Sequence, residues 1–180
     1  MRKILWLTIA FSSCAFAEDV ILQVKHSGKC AQVNGASQAN GANITQWDCL
    51  RQLNVQWEKV SIGGPYFLLY AAHTTVGKEP GKCAQVDGRS HANGANVSQW
   101  DCLSQDNVKW STRPAGDGYV FLVNKESGKC MQVDGMSKAN GANISQWDCV
   151  NQDNVKWKIE RVPHGLIPFD KGSAGRPAKN

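Results

Sequence analysis

One thirty-residue unit occurs three times along the chain, and this repetition constrains the fold more than any other feature. The copies cover residues 28–57, 81–110 and 128–157, and the second and third are identical at 24 of 30 positions. A unit this short cannot bury a hydrophobic face alone, so repeated units pack against one another to build a shared core. The copies are therefore expected to be structurally equivalent parts of one domain.

Turn signals within each copy predict short strands. Asn or Asp precedes glycine at two places in every copy, a dipeptide typical of tight β-turns. The intervening segments are rich in β-branched and aromatic residues, and none has a helical period over a useful length. Strands are predicted at residues 20–25, 29–33, 43–48 and 55–60 in the first copy, and at 66–70 and 119–123 where the later copies begin.

Four strands in each copy give about twelve strands and predict an all-β chain. Three such units can close into a barrel with a capped base, which leaves no long strand edge exposed. The predicted fold is a β-trefoil with copies at about residues 20–62, 63–114 and 115–162. A propeller would need more copies, and a solenoid would need capping units.

The N-terminal segment, residues 1–17, is typical of a secretory signal peptide. Arg2 and Lys3 precede an apolar run, and a small-x-small cleavage pattern ends at Ala17. No segment is long enough for a transmembrane helix, so we expect a secreted protein, extracellular or periplasmic. Lipidation of Cys14, as in a lipoprotein, is the minor alternative.

The expected mature chain has a domain at residues 18–162 and a C-terminal tail at 163–180. The tail contains three prolines and three glycines and does not resemble the repeat. We expect it to be flexible, and a docking segment is the alternative.

Six cysteines remain once the predicted signal peptide is removed, and an exported protein keeps its disulfides. Six cysteines allow fifteen pairings, but the repetition favours the same bond inside each copy. Each such bond would add about 3 kcal/mol of stability. No Cys-x-x-Cys or matching histidine is present, so neither a metal nor a cofactor is predicted. The expected pairs are Cys30–Cys49, Cys83–Cys102 and Cys130–Cys149.

The two tryptophans of each copy are predicted to differ in role. Trp57, Trp110 and Trp157 begin a predicted strand, so we assign them to the core. Trp47, Trp100 and Trp147 lie within Gln-Trp-Asp-Cys among polar residues. We interpret this second set as exposed platforms, with packing over the disulfide as the alternative.

An exposed indole among amides suits a sugar. The C–H face of a pyranose stacks on the ring, while its hydroxyls bond to amide or carboxylate groups. Asn34, Asp87 and Asp134 also stand near, but their place before glycine favours a turn role. The candidate amide partners are Gln32 and Asn54, Gln85 and Asn107, and Gln132 and Asn154.

The repeated Gly-Lys-Cys, Gln-Trp-Asp-Cys and Asn-Val-Lys-Trp or Asn-Val-Gln-Trp motifs resemble the ricin-B-type lectin family over about residues 20–162. This resemblance implies a β-trefoil of three subdomains, often with one disulfide each and a shallow sugar pocket on each competent one. It implies sugar contacts from an acidic residue two places after the first cysteine, from an aromatic two places before the second, and from an asparagine. The aromatic and asparagine positions match in all three copies, at Trp47 and Asn54, Trp100 and Asn107, and Trp147 and Asn154.

Two positions depart from the family pattern. The acidic position holds Gln32, Gln85 or Gln132, and the glutamine of the Gln-x-Trp motif is replaced by Val55, Val108 or Val155. Glutamine lacks the charge that strengthens a bond to two hydroxyls. Galactose-type specificity therefore does not follow from the resemblance.

The expected function is multivalent, non-catalytic binding of cell-surface glycans or polysaccharides. A targeting subunit of a multi-chain toxin with a separate effector chain, or another protein-interaction trefoil such as a protease inhibitor, is the alternative. No nucleic-acid partner is expected, because the basic residues behind the net charge of +5 form no run or stripe.

An enzyme is not expected. Asp48, Asp101 and Asp148 form the one repeated carboxylate, whereas glycoside hydrolysis uses a pair. The four histidines occupy no equivalent sequence positions, so none is predicted to be catalytic: His26, His73, His91 and His164.

Overall fold

The computed structural model describes residues 17–75 and 81–162 and confirms the predicted all-β fold. Residues 1–16 of the predicted signal peptide and the tail at 163–180 lie outside these residues, while Ala17 begins the first strand. One α-helical turn, α1 (Ala72–Thr75), lies between the fifth and the sixth strand. The strands are β1 (Ala17–Val24), β2 (Cys30–Val33), β3 (Ala42–Trp47), β4 (Trp57–Ser61), β5 (Phe67–Ala71), β6 (Lys82–Val86), β7 (Val97–Asp101), β8 (Trp110–Gly116), β9 (Tyr119–Asn124), β10 (Cys130–Val133), β11 (Ile144–Trp147) and β12 (Trp157–Arg161).

The first and last strands of each copy form a closed barrel. Antiparallel pairs run from β1 to β4, β5, β8, β9, β12 and back to β1. The inner strands form three hairpins, β2–β3, β6–β7 and β10–β11. The hairpins are joined by the pairing of β3 with β7 and by two isolated bridges, one between Thr45 and Asn143 and one between Asn96 and Ser145. This arrangement is the predicted β-trefoil.

The core tryptophan prediction is confirmed. Trp57, Trp110 and Trp157 are fully buried in one hydrophobic cluster to which every copy contributes. Buried indoles need a hydrogen-bond acceptor, and each Nε1 donates to a backbone carbonyl at 2.8 to 3.1 Å. The acceptors are Ala31, Ala84 and Met131, which lie in β2, β6 and β10.

The strand predicted at 55–60 begins two residues late. Residues Leu53–Val55 form a 3-10 turn, and β4 starts only at Trp57. The cause is Asn54, whose Nδ2 donates to the carbonyl oxygen of Val33 at 3.0 Å and draws the chain into the turn. The same turn recurs at Asp106–Val108 and Asp153–Val155.

A buried glutamine in each copy binds the loop of a neighbouring copy. Gln46, Gln99 and Gln146 immediately precede the candidate platform tryptophans and have no exposed surface. Each Nε2 donates to two backbone carbonyls across the seam, at 2.6 to 2.9 Å. The bonds run from the first copy to the third, from the second to the first, and from the third to the second. The acceptors are Ser137 and Ala139, Ser37 and Ala39, and Ser90 and Ala92.

The repeated aspartates also join neighbouring copies. Asp48 accepts from Lys29 of its own copy at 2.5 Å and from Asn140 of the third copy at 2.8 Å. The donation from Lys29 holds the pKa of the Asp48 carboxyl below its ordinary value of 3.8. The same contacts join Asp101 to Lys82 and Asn40, and Asp148 to Lys129 and Asn93. These carboxylates therefore have a structural role at the seams.

Two histidines make equivalent contacts in the structure although their positions in the repeat do not align in sequence. The Nε2 of His26 lies 2.7 Å from the Ser137 carbonyl, and that of His73 lies 2.9 Å from the Ser37 carbonyl. Ser37 and Ser137 are equivalent residues of neighbouring copies, so both imidazoles bind the same loop position. Extra residues between β5 and β6 shift His73 along the sequence without changing its role.

All three disulfides are formed as expected. Cys30 bonds Cys49, Cys83 bonds Cys102 and Cys130 bonds Cys149, with Cα–Cα distances of 5.0 to 5.1 Å. Within the described ranges, no helix is long and apolar enough to cross a membrane.

Replacement of Gln146 by alanine tests the seam. The variant loses both bonds across the seam and leaves the Ser90 and Ala92 carbonyls and the Ser127 hydroxyl without this partner. We expect the free energy of unfolding to fall by about 2 kcal/mol, measured by urea denaturation. The exposed Gln105→Ala variant should change it by less than about 0.5 kcal/mol. Equal effects of the two substitutions would contradict the seam assignment.

Replacement of His73 by glutamine tests the second histidine contact. Burial lowers the pKa of His73 below its ordinary value of 6.5, so the unfolded chain binds a proton first as pH falls. The stability contributed by neutral His73 is present above pH 6.5 and is lost below it. The urea midpoint of the wild type should therefore drop between pH 7.5 and pH 5, and it should drop less in His73→Gln. His91→Gln, at an exposed imidazole, should follow the wild type, and identical pH profiles for all three proteins would refute this role.

Candidate functional site

Each copy carries one open pocket in an equivalent place. The volumes are about 390, 480 and 320 Å³ in copies one, two and three. Each pocket brings together the Trp, Gln and Asn that the sequence analysis singled out. The first is lined by Gln32, Asn34, Gly35, Ala36, Trp47, Leu50, Gln52 and Asn54; the second by Gly41, Gln85, Asp87, Gly88, Arg89, Trp100, Leu103, Gln105 and Asn107; and the third by Gln132, Gly135, Met136, Trp147, Gln152 and Asn154.

A buried amide pair forms the floor of every pocket. In the first copy, Asn54 Nδ2 donates to Gln32 Oε1 at 3.0 Å, as well as to the Val33 carbonyl. The corresponding distances are 3.1 Å from Asn107 to Gln85 and 3.1 Å from Asn154 to Gln132. These bonds fix both amides in one orientation. The Nδ2 atom of each asparagine therefore holds the 3-10 turn through one hydrogen bond and the pocket glutamine through the other.

Two of these asparagines have an acceptor without a partner. Among the described residues, the Oδ1 atoms of Asn107 and Asn154 are buried and make no hydrogen bond. Each side chain belongs to a residue only 2% exposed, and each lines a pocket. A buried acceptor left unpaired costs about 1–3 kcal/mol. Because these oxygens have almost no accessible surface, a ligand hydroxyl reaches them only if the side chains of the floor move apart.

All three pocket tryptophans are partly open to solvent. Trp100 is 38% exposed and Trp147 is 40% exposed, and Trp47 is half-buried. This partial exposure is compatible with the platform interpretation. The alternation of side chains along a strand explains why Trp147 faces outward while Gln146 beside it is buried.

A glycine of the preceding copy supports the edge of each pocket indole. Gly41 has a φ of 78°, and a Cβ there would lie 3.6 Å from Cζ3 of Trp100. Its N–H donates to the Gln99 carbonyl at 2.9 Å. Gly94 faces Trp147 and Gly141 faces Trp47 in the same way. The positive φ favours glycine here, whereas a Cβ at this distance would make only an ordinary contact with the indole.

The turn aspartates hold the pocket glutamines in place. Asp87 accepts from Gln85 Nε2 at 3.3 Å, from Asn96 at 2.9 Å and from the Ser98 hydroxyl. Asp134 makes the same contacts with Gln132, Asn143 and Ser145. The expected turn role is confirmed, since Asp87 begins the 3-10 turn Asp87–Arg89. The first copy has Asn34 here, and Gln32 instead contacts the Thr45 hydroxyl at 3.4 Å.

Several pocket residues were missed by the sequence analysis. Gln52, Gln105 and Gln152 line the three pockets, and the same residue stands at this position in every copy. That identity was the available signal. Leu50 and Leu103 also line pockets while remaining among the exposed large apolar residues.

A model of one protein family matches nearly the whole repeat region. Its description is ricin-type beta-trefoil lectin domain-like, and it matches residues 12–78, 74–147 and 110–168. The chain belongs to this family. The resemblance noted in the sequence is thereby confirmed, and the β-trefoil fold agrees with it.

Several solved structures are similar to this chain. ThreeFoil, a designed threefold-symmetric protein, is 36% identical, with a TM-score of 0.73 over 78% of this chain and 96% of its own. The exo-beta-1,3-galactanase 1,3Gal43A from Clostridium thermocellum is 29% identical, with a TM-score of 0.74 over 81% of this chain but 30% of its own. The Rhizoctonia solani agglutinin shares the fold at 15% identity, with a TM-score of 0.70 over 86% of this chain and 100% of its own. No curated protein matches the chain in sequence.

Proposed function

We propose that this protein is a secreted, non-catalytic lectin with three shallow sugar pockets. The observation that carries the proposal is the composition of each pocket, an indole wall above a buried Gln–Asn pair. Membership of a lectin-type family supports carbohydrate binding as the general activity. An agglutinin and a galactan-degrading enzyme are among the similar structures.

The pocket geometry provides both kinds of contact that a sugar needs. The exposed face of Trp100 or Trp147 offers a rigid apolar surface for the C–H face of a pyranose. The Gln85–Asn107 and Gln132–Asn154 amide pairs that line the pockets offer polar groups to a ring hydroxyl. Stacking gives affinity to sugars in general, whereas the fixed amide orients one hydroxyl and gives selectivity.

The position that is acidic in the family pattern holds a neutral glutamine in each pocket. In the second pocket, Gln85 donates to the carboxylate of Asp87, which lines the same pocket and also accepts from Asn96 and Ser98. Donors of the protein itself therefore already engage this carboxylate. The glutamine substitution supports a sugar preference other than the galactose type.

The three pockets are proposed to act together. Each is open and buries little of a ligand, so its own affinity is expected to be weak. Three sites on one rigid body raise avidity for a dense glycan surface by about 10²–10⁴. Cell surfaces and polysaccharides are therefore the proposed targets, in preference to free monosaccharides.

The repeated carboxylates are accounted for by structural contacts, without a catalytic role. Asp48, Asp101 and Asp148 are each held by a lysine and an asparagine at a seam. Glycoside hydrolysis needs two carboxyl groups placed across a scissile bond. The lysine and asparagine contacts give these groups a structural use instead.

Export accounts for the cysteine usage. Three disulfides are typical of proteins that fold in an oxidising compartment, such as the periplasm or the extracellular space.

A protein that acts as the targeting subunit of a toxin would use the same pockets. Copurification of an effector chain from the native source would establish that role.

Replacement of Trp47, Trp100 and Trp147 by alanine tests the proposal. We expect the wild type to bind a subset of a glycan array and the triple variant to lose at least about 90% of that signal, because each stacking contact is removed. Binding isotherms on the best array ligand give the affinities. Wild-type protein that binds no glycan, or a variant that binds as well as wild type, would overturn the proposal.

Two controls separate binding from folding in this experiment. Trp57, Trp110 and Trp157 remain in the variant, so their buried fluorescence reports the core directly. The matched Trp→Phe triple variant keeps an aromatic face and should retain part of the binding. Loss of binding with an unchanged core signal assigns the effect to the pockets.

A further inference from the structure

The second copy has an additional pocket beside its proposed sugar pocket. This extension pocket has a volume of about 350 Å³ and is lined by Ile62, Leu68, Cys102, Leu103, Ser104 and Lys109. Leu103 also lines the Trp100 pocket, so the two pockets adjoin at one exposed side chain. A glycan stacked on Trp100 could therefore extend over Leu103 into the extension pocket.

The walls of the extension pocket are partly apolar and open. Ile62 is 42% exposed and Leu103 is 48% exposed. Branched apolar side chains can cover the C–H face of a second sugar unit. Ser104 and Lys109 supply a hydroxyl and an ammonium group at the same pocket.

The charge around Lys109 favours an anion. Lys109 and Lys125 both pair with Asp106, at 2.7 Å and 3.0 Å. Two ammonium groups therefore share one carboxylate, which leaves this cluster one positive charge in excess. Lys109 is also largely sheltered from solvent, and this strengthens its interaction with a bound anion.

The third copy has different residues at its equivalent place. Phe121, Ala115 and Val150 stand where the second copy has Leu68, Ile62 and Leu103, and they pack in one hydrophobic cluster. Its lysine pair is also neutralised further. Lys156 and Lys25 pair with Asp153 at 3.1 Å and 3.4 Å, and Lys25 also lies 3.6 Å from Asp117.

The first copy has a different charge arrangement. Gln56 stands in place of Lys109 and Leu53 in place of Asp106, while the exposed Arg51 stands in place of Ser104. The pockets therefore share their sugar floor but differ in what lies beside it.

We propose that the extension pocket binds an anionic sugar unit, carboxylated or sulfated, whose neighbouring unit stacks on Trp100. This inference rests on the proposed lectin function and adds a ligand class to the second copy. The apolar walls hold the ring of the second unit, and Lys109 with Ser104 binds its anionic group. The protein would then bind an acidic sugar unit beside its second sugar pocket.

The test uses a protein in which only the second pocket is intact, the Trp47→Ala, Trp147→Ala variant. The probe is a glycan array of matched sets, in which each neutral glycan stands beside its sialylated, glucuronylated and sulfated forms. We expect an anionic form to bind about fivefold more tightly than its neutral partner. Comparison of the carboxylated with the sulfated forms identifies which anion is recognised.

Two further substitutions in this background locate the effect. Lys109→Gln, which copies the first copy's residue, should bring the affinity for the anionic form to that of its neutral partner. Lys156→Gln, the equivalent change in the third copy, should leave the preference intact. Raising the salt concentration from 50 to about 300 mM should weaken the anionic preference of the Lys109 protein.

The outcomes distinguish the two proposals. Neutral and anionic forms that bind equally, or a preference that survives Lys109→Gln, would overturn the anionic subsite while leaving the lectin function standing. Wild-type protein that binds no glycan of either kind would overturn both. Because Gln56 occupies the equivalent place in the first copy, Lys109→Gln is compatible with the fold, and core tryptophan fluorescence checks it.

Discussion

The buried glutamine before each pocket tryptophan is the contact on which the rest of the molecule depends. Its side chain donates to two carbonyls of a neighbouring copy, and its own carbonyl accepts from that copy's turn glycine, as Gly141 N–H donates to Gln46 at 2.8 Å. The adjacent indole then lies against the same glycine. Each pocket is therefore built at a seam and requires the neighbouring copy to be in place.

Alternation along one strand explains how a repeat this short serves both core and site. Gln146 points inward to the seam, and Trp147, the next residue, points outward into the pocket. The repeat multiplies this arrangement by three without additional sequence. Strand pairing closes the barrel, and the seam bonds hold the hairpins over it.

The sequence was sufficient for features that depend on local pattern and repetition. The trefoil, the disulfide pairs, the buried role of Trp157 and the grouping of Trp147 with Asn154 and Gln132 all follow from one repeated unit. Contacts between copies could not be predicted, because they join residues far apart in sequence. His73 reaches a place equivalent to that of His26 only because an insertion shifts it. The 3-10 turn at Leu53–Val55 depends on a side-chain bond to Val33, which propensity does not encode.

Differences among the copies matter as much as their likeness. A carboxylate orients the pocket glutamine in the second and third copies, while Asn34 replaces it in the first. The half-buried Trp47 belongs to that same first pocket. Equivalent floors with different surroundings would let one rigid body recognise several positions on a heterogeneous glycan surface.

The most direct test of the central claim follows the indole N–H signals of tryptophan by NMR during titration with the best array glycan. The account predicts that the signals of Trp47, Trp100 and Trp147 shift and saturate. It also predicts that those of Trp57, Trp110 and Trp157 stay in place, because their N–H groups are bonded to core carbonyls. Saturable binding that moves none of the pocket signals would contradict the account.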